Sequence, residues 1–293
     1  MHSPTAVDVK TPDLTVIIPY FWGNEYIRAA IASVDSDARD QVEIIVINDS
    51  PEDEKFQEIA FQYQQSNLHF LTNSKNIGVI ETRQIALAHA KGAFVRFLDQ
   101  DDAFSPSTTT SMLNEMKRHG ADICIGKVRT KTSGRTDVTE RRSFYRISGR
   151  RTVLNELKLL IAQPGRLGAT MFRRAALDQT TYQKEQGGGE EWLLFWRLLM
   201  VGKKFLFVDS VILLRNEHGA NISERNFLKR QRNLRLVAGN ALSNNPLHRL
   251  IFNTALLIRI YRSRRRRGRS VAGTLSAIRT IFGGPVAESD VPQ

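Results

Sequence analysis

Three acidic side chains, Asp99, Asp101 and Asp102, fall within four residues at the end of an apolar run, in FVRFLDQDDAFSP (94–106). Like charges so close repel, and a divalent cation removes the repulsion. Hard oxygen ligands suit Mg²⁺ or Mn²⁺, and few protein ligands are needed where phosphate oxygens complete the shell. Such an ion stabilises charge growing on a phosphate leaving group. Asp102, with Ser105 and Pro106, equally suits a turn before a helix beginning near Ser107. A second pair of acids, Glu190 and Glu191, follows Gly187-Gly188-Gly189. Either carboxylate is a candidate general base, and both also suit a helix N-terminus, where exposed amides favour negative charge. His218 stands alone and fits either a structural role or a metal site, since neutral imidazole accepts Mn²⁺. Tyr20, Phe21 and Trp22 are aromatics placed to stack on a nucleobase.

The elements that must position these residues alternate regularly. LTVIIP (14–19), VEIIVIN (42–48), LHFLT (68–72) and AFVRFL (93–98) read as buried strands. Helices are expected from Asn24 as cap to about Val34, over 54–65, and over 79–91. Crossovers of this length demand a mostly parallel α/β sheet with helices on both faces. Ligands bind such sheets beyond the carboxyl ends of the strands. Pro19-Tyr20-Phe21, Asn48-Asp49-Ser50 and the acidic knot all fall there. Further on, 121–130 reads as a strand, 167–174 as a strand leading into a short helix, and 190–202 as a helix. The run 205–215 is strand-like with a break near Asp209-Ser210, and the chain is mainly helical from about 222. Trp192, Phe195 and Trp196 read mostly as core.

The 293 residues carry a net charge of +12, and its location matters more than its size. Residues 215–269 hold 14 basic and two acidic side chains, whereas residues 1–214 hold 27 and 26. No zinc spacing or basic recognition helix accompanies this charge, so nucleic acid is not the expected partner. The single cysteine, Cys124, rules out an internal disulfide and fits a reducing, cytoplasmic compartment. The N-terminal residues lack a signal-peptide pattern, and no apolar run is long enough to span a membrane. Both the G-x-x-x-x-G-K-[ST] loop and the G-x-G-x-x-G fingerprint after the first strand are missing, so phosphate handling falls to metal and scattered basic groups.

Five segments in order carry a resemblance: TVIIPYFWGNEYIRAAIASV (15–34), EIIVINDS (43–50), NIGVIETRQIALAHAKGAFVRFLDQDDAFSP (76–106), GGEEWLLFWRLL (188–199) and RNEHGANIS (215–223). Together they resemble an inverting family 2 glycosyltransferase with the GT-A fold over 13–220. The resemblance implies roles. Asp49 contacts the nucleotide base, and Asp99 and Asp101 match D-x-D, with Asp101 on the metal and Asp99 near the donor ribose and sugar. Asp102 organises the loop, and Arg83 holds the donor with the Pro19-Tyr20 segment. Glu191 is the base, supported by Glu190, and His218 meets the metal or the donor diphosphate. Two departures stand out on the donor side: Thr82-Arg83-Gln84 replaces the usual A-R-N, and Asn48 stands where Asp is frequent; at the base, Glu191 stands where the motif has Asp, which adds one methylene of reach.

The implied reaction moves a sugar from a nucleotide-diphosphate donor, a UDP-sugar by expectation, to a glycan or lipid-linked glycan acceptor, with Mn²⁺ or Mg²⁺ as cofactor. Two other classes compete: a nucleotidyltransferase making nucleotide sugars, which should carry a glycine-rich phosphate loop, and a non-catalytic nucleotide- or sugar-binding module. Residues 221–269 read as a basic helical extension and 270–293 as a tail. In the extension Leu250, Thr254, Leu257 and Tyr261 form one helical stripe, broadened by Ile251 and Ile258, and an arginine cluster follows from Arg262. That stripe suits either an anionic membrane on the inner face or packing on the catalytic body.

Overall fold

The apolar runs of the first hundred residues fold as their spacing dictates. A computed structural model describes residues 11–23, 25–34, 41–132, 135–139, 146–177, 189–216, 227–266 and 270–282. In it the runs become β1 (Leu14–Tyr20), β2 (Val42–Asn48), β3 (Leu68–Thr72) and β4 (Phe94–Phe97). Between them lie α1 (Ile27–Ala32), α2 (Glu54–Phe61) and α3 (Val79–His89). The four strands lie in the order β3-β2-β1-β4, all parallel. Asn24, the expected cap of α1, lies outside the described residues.

Beyond β4 the sheet becomes mixed. The short β5 (Ala103–Phe104) is followed by α4 (Thr108–His119), β6 (Ile123–Thr132), β7 (Arg135–Thr139), α5 (Val153–Ile161) and β8 (Thr170–Arg173). Then come α6 (Glu190–Met200) and β9 (Phe205–Asn216). β8 runs antiparallel between β4 and β6, and β9 lies parallel to β6. β5 and β7 pair antiparallel with β9 and β6. The break expected at Asp209-Ser210 is a bulge: Ile125 opposes Phe207 while Lys127 opposes Val211, so β9 carries extra residues there and continues. Asp209 holds the bulge through Lys127 at 3.0 Å and Arg146 at 2.8 Å.

Strand alternation divides the core into two layers. Val16, Ile18, Ile44 and Val46 face α1, α2 and α4 through Ile31, Phe56, Ile59 and Met112. Ile17, Ile45, Ile47 and Phe97 face the other side, with Ala86 of α3, Leu159 of α5 and the buried Trp192, Phe195 and Trp196 of α6.

The C-terminal helices pack on the rest of the chain. Helices α7 (Phe227–Ala241), α8 (Pro246–Arg266) and α9 (Val271–Phe282) bury Leu234, Val237, Phe252, Leu256, Ile260 and Ile281 in that same second layer. The Phe252 ring packs tilted against Trp192 with centroids 5.0 Å apart, and Arg235 donates to the Ile281 carbonyl at 3.3 Å. The extension is therefore a wall of the catalytic body, and part of the expected tail is a packed helix. The apolar bulk around α6 made this necessary, because one sheet face cannot cover a helix that is hydrophobic on most sides.

Candidate active site

Strand direction gathers the chemistry at one edge. The carboxyl ends of β1, β2, β4 and β9 point to the same side, and the antiparallel β8 is entered from that side through a single 3₁₀ turn at Leu167–Ala169. Segments 20–23, 48–50, 99–102, 163–169 and 215–216 therefore meet there.

The acidic knot sits in the turn between β4 and β5. Ligand atoms of Asp99, Asp101 and Asp102 all lie within 4.8 Å of one another. Asp102 is buried and accepts the backbone N–H of Asn216 at 3.2 Å, and Asn216 also donates its side-chain amide to the Asp101 carbonyl at 3.0 Å. The end of β9 thus locks the knot, and Asp102 does not cap α4. Burial, reinforced by the Asp99 and Asp101 carboxylates, pushes Asp102 up to about 8. Three crowded carboxyl groups, one of them driven toward its neutral form, are a donor set that fits a hard divalent cation. Asp99 is further paired with Arg83 of α3, whose guanidinium lies over the Phe97 ring.

Asp49 is held in place by the loop at 73–78. Its buried carboxylate accepts from the N–H groups of Ile77 and Gly78, at 2.9 and 2.8 Å, and from Asn73 at 2.9 Å. A carboxylate offers about four acceptor positions, so one remains for a ligand. The two departures from family pattern have local reasons. Asn48 accepts the N–H and hydroxyl of Ser50 at 2.8 and 3.0 Å, and Thr82 accepts from Asn73 at 2.9 Å.

Pro19 and Tyr20 need correction as side-chain contacts. Both are buried in β1; Tyr20 stacks on Phe56 and donates its hydroxyl to Asp53 at 2.5 Å. An apolar wall and an acidic acceptor hold that phenol protonated. β1 is covered on both faces and ends at Tyr20, which leaves Phe21 and Trp22, in the loop beyond it, as exposed aromatics. Gln100 grips this loop, accepting the Phe21 N–H at 2.7 Å and donating to its carbonyl at 2.8 Å. A Cβ on Gly23 would lie 2.1 Å from the Gln100 amide, so glycine is what permits the clamp.

Glu190 and Glu191 open α6 behind Gly189, whose φ of +103° suits glycine. Glu191 accepts from the Gln163 amide at 2.6 Å, and that amide also donates to the Gly165 carbonyl at 2.7 Å. The loop before β8 thereby holds the acid. His218, Gly187 and Gly188 lie outside the described residues.

A family model described as glycosyl transferase family 2 matches residues 15–181. The chain belongs to this family. Relatives within it include the teichoic acid poly(glycerol phosphate) polymerase of Staphylococcus epidermidis, 27% identical over 42% of this chain and 17% of that protein. The minor teichoic acid biosynthesis protein GgaB of Bacillus subtilis is 31% identical over 39% of this chain and 13% of its own length. These matches span less than a fifth of either relative. Among solved structures, S. aureus TarS 1–349 shares the fold with a TM-score of 0.64 at 19% identity, over 92% of this chain and 81% of that one. A mannosyltransferase from Pyrobaculum calidifontis, described in complex with GDP-Man and Mn²⁺, has a TM-score of 0.64 at 15% identity, over 94% and 76%. The GT-A architecture expected from sequence is thus shared with solved glycosyltransferases.

The structure unites Arg83, Asp99, Asp101 and Asp102, and sets Glu191 in the first turn of α6, held by Gln163 of the loop before β8. Gln100, Asn73, Asn216 and Gln163 were not singled out from the sequence. Gln100 had one signal, its place inside D-x-D. Gln163 had none, because only the fold brings it to Glu191.

Proposed function

We propose that this chain transfers a sugar from a nucleoside-diphosphate donor, a UDP-sugar first, to a hydroxyl of a glycan or lipid-linked glycan, inverting the anomeric centre. One observation carries this reading: a metal-competent acidic knot lies at the carboxyl edge of the sheet, and a separate carboxylate, Glu191 in the first turn of α6, is held by Gln163 of the loop that enters β8 from that edge. The UDP-GlcNAc named for a TarS complex, and the GDP-Man and Mn²⁺ named for the mannosyltransferase, support the donor class and the ion. The cell-surface polymers in the relatives' names support a glycan acceptor.

Asp101 would hold Mn²⁺ or Mg²⁺, with Asp102 behind it and His218 contributing from beyond β9. When bound, the ion neutralises charge on the departing diphosphate. Arg83 fixes Asp99, which faces the donor ribose and sugar, and the remaining acceptor position of Asp49 meets the base. The Phe21-Trp22 loop, clamped by Gln100, lies beside it. Glu191 takes the proton from the acceptor hydroxyl, whose oxygen bonds to the anomeric carbon as the bond to the diphosphate breaks. Glu190 supports that loop or the acceptor. The setting that goes with this chemistry is cytoplasmic, peripheral on the inner face of the membrane.

The test is a panel of nucleotide sugars, followed by nucleoside diphosphate release with Mn²⁺, Mg²⁺ or EDTA. Release should require metal and vanish in Asp101→Asn. Glu191→Gln should bind donor normally and lose transfer by about 100- to 10,000-fold, the usual worth of a general base. Equal turnover in Glu191→Gln, or turnover that survives EDTA, would overturn the assignment.

A further inference from the structure

Helix α8 has two apolar faces. Phe252, Leu256 and Ile260 recur every four residues and are buried against the catalytic body. On the other side Leu247, Leu250, Ile258 and Tyr261 are 63, 64, 46 and 47% exposed, with Thr254 completing the stripe. Steps of three and four residues keep these side chains on one line, about 21 Å long at the rise of an α-helix. Packing against the body explains the first face only.

The sequence that carries the second face is strongly basic. From residue 225 to 287 the sequence contains fourteen Lys and Arg and no Asp or Glu. Arg249 and Arg262 on α8 are exposed, and the chain continues into Arg264, Arg265, Arg266, Arg267 and Arg269. Arg259 turns inward and donates to the Ile161 carbonyl at 3.1 Å. That bond fixes the arginine-rich end of α8 beside the end of α5, two residues before Gln163, the residue that holds Glu191. Among the described residues no helix is long and apolar enough to cross a membrane.

We propose that the outer face of α8 docks on an anionic lipid bilayer. Leu247, Leu250, Ile258 and Tyr261 enter the headgroup boundary while the arginines meet lipid phosphates. A second copy of the chain would bring two arginine-rich faces together, against their charge. Nucleic acid would satisfy the charge but leave the apolar row in water. Resting on the proposed glycosyl transfer, the same geometry turns the Glu191 side of the catalytic edge toward acceptors carried at the membrane surface.

The test is co-sedimentation of the full-length protein with vesicles of phosphatidylcholine, alone or with phosphatidylglycerol, across a salt series. The protein should pellet with the anionic vesicles only, and less as salt rises. The double variant Leu250→Asp/Ile258→Asp should bind at least about tenfold more weakly, since two charged groups would have to enter the apolar boundary. Replacing Arg264, Arg265, Arg266 and Arg267 with Gln should cost about fivefold per arginine. Neither variant touches the catalytic edge, so diphosphate release from soluble donor in the same samples should be unchanged and reports folding. No binding by the wild-type chain, or equal binding by Leu250→Asp/Ile258→Asp, overturns the proposal. So does a concentration-dependent dimer that this variant disperses, which would assign the face to a second copy. Vesicle binding without release from any donor would instead sink the transfer reading and leave the docking face standing.

Discussion

Glu191 is set by a neighbour as much as by its own chemistry. Gln163 donates to it and to the Gly165 carbonyl, so one amide ties the acid to the loop before β8. Gln163→Leu keeps the bulk and removes both donors. A hydrogen bond to a charged group is worth about 1.5–3 kcal/mol, so kcat should fall about ten- to hundredfold with donor KM unchanged. Steady-state kinetics with donor and acceptor varied separately would check this, and a change confined to donor KM would contradict the role. Gln100 acts on the opposite partner. Gln100→Ala loses two bonds to Phe21 and frees the 20–23 loop, so donor Kd should rise by about tenfold. Calorimetric titration with the nucleoside diphosphate measures it, and an unchanged Kd would remove the loop from the donor site.

At the scale of elements, the placement of α6 depends on one glycine. Gly189 has a φ of +103°, and a Cβ there would lie 3.1 Å from the Leu234 Cα of α7. Gly189→Ala must either strain its backbone or push α6 away from α7. The cost should be about 1–3 kcal/mol. Thermal unfolding should show it as a Tm lowered by about 2–4 °C for each kcal/mol. Because Glu191 lies two residues on, kcat should fall in the same variant. A normal Tm would show that α6 is not pinned at its start. The end of β9 plays the matching part on the donor side, where Asn216 bonds to both Asp101 and Asp102. That contact joins residues 115 positions apart in the chain, which is why D-x-D alone does not describe the site.

For the whole molecule, the central fact is the shared core of the catalytic sheet and α7–α9. Phe252→Ala removes a ring packed against Trp192, at a cost of about 3–5 kcal/mol for a buried Phe. Calorimetry should give one transition shifted downward. Two transitions, with the catalytic part unmoved, would show that α7–α9 unfold as an independent unit. This packing also governs how the membrane surface has to be probed. Truncation before Pro246 would strip Phe252, Leu256 and Ile260 from the core along with the arginines, so substitutions on the outer face are the clean test.

The first four strands, their helices and the placing of Asp49 and the acidic knot at strand ends were legible in the sequence, because period-two burial and the crossover lengths between strands are local signals. The sign and position of the basic extension were legible for the same reason. Three matters were decided only by tertiary structure. Tyr20 and Trp22 look equivalent as neighbouring aromatics, yet Tyr20 ends a strand covered on both faces while Trp22 lies in the loop beyond it and is exposed. Asp49 looks like a free acceptor until the loop at 73–78 folds over it. The apolar residues of α8 look like one broad stripe, and only its docking on α5 and α6 divides them into an inner face for the core and an outer face for a partner. Each depends on residues far apart in the chain meeting in space, and a pattern read along one segment contains no information about what covers it.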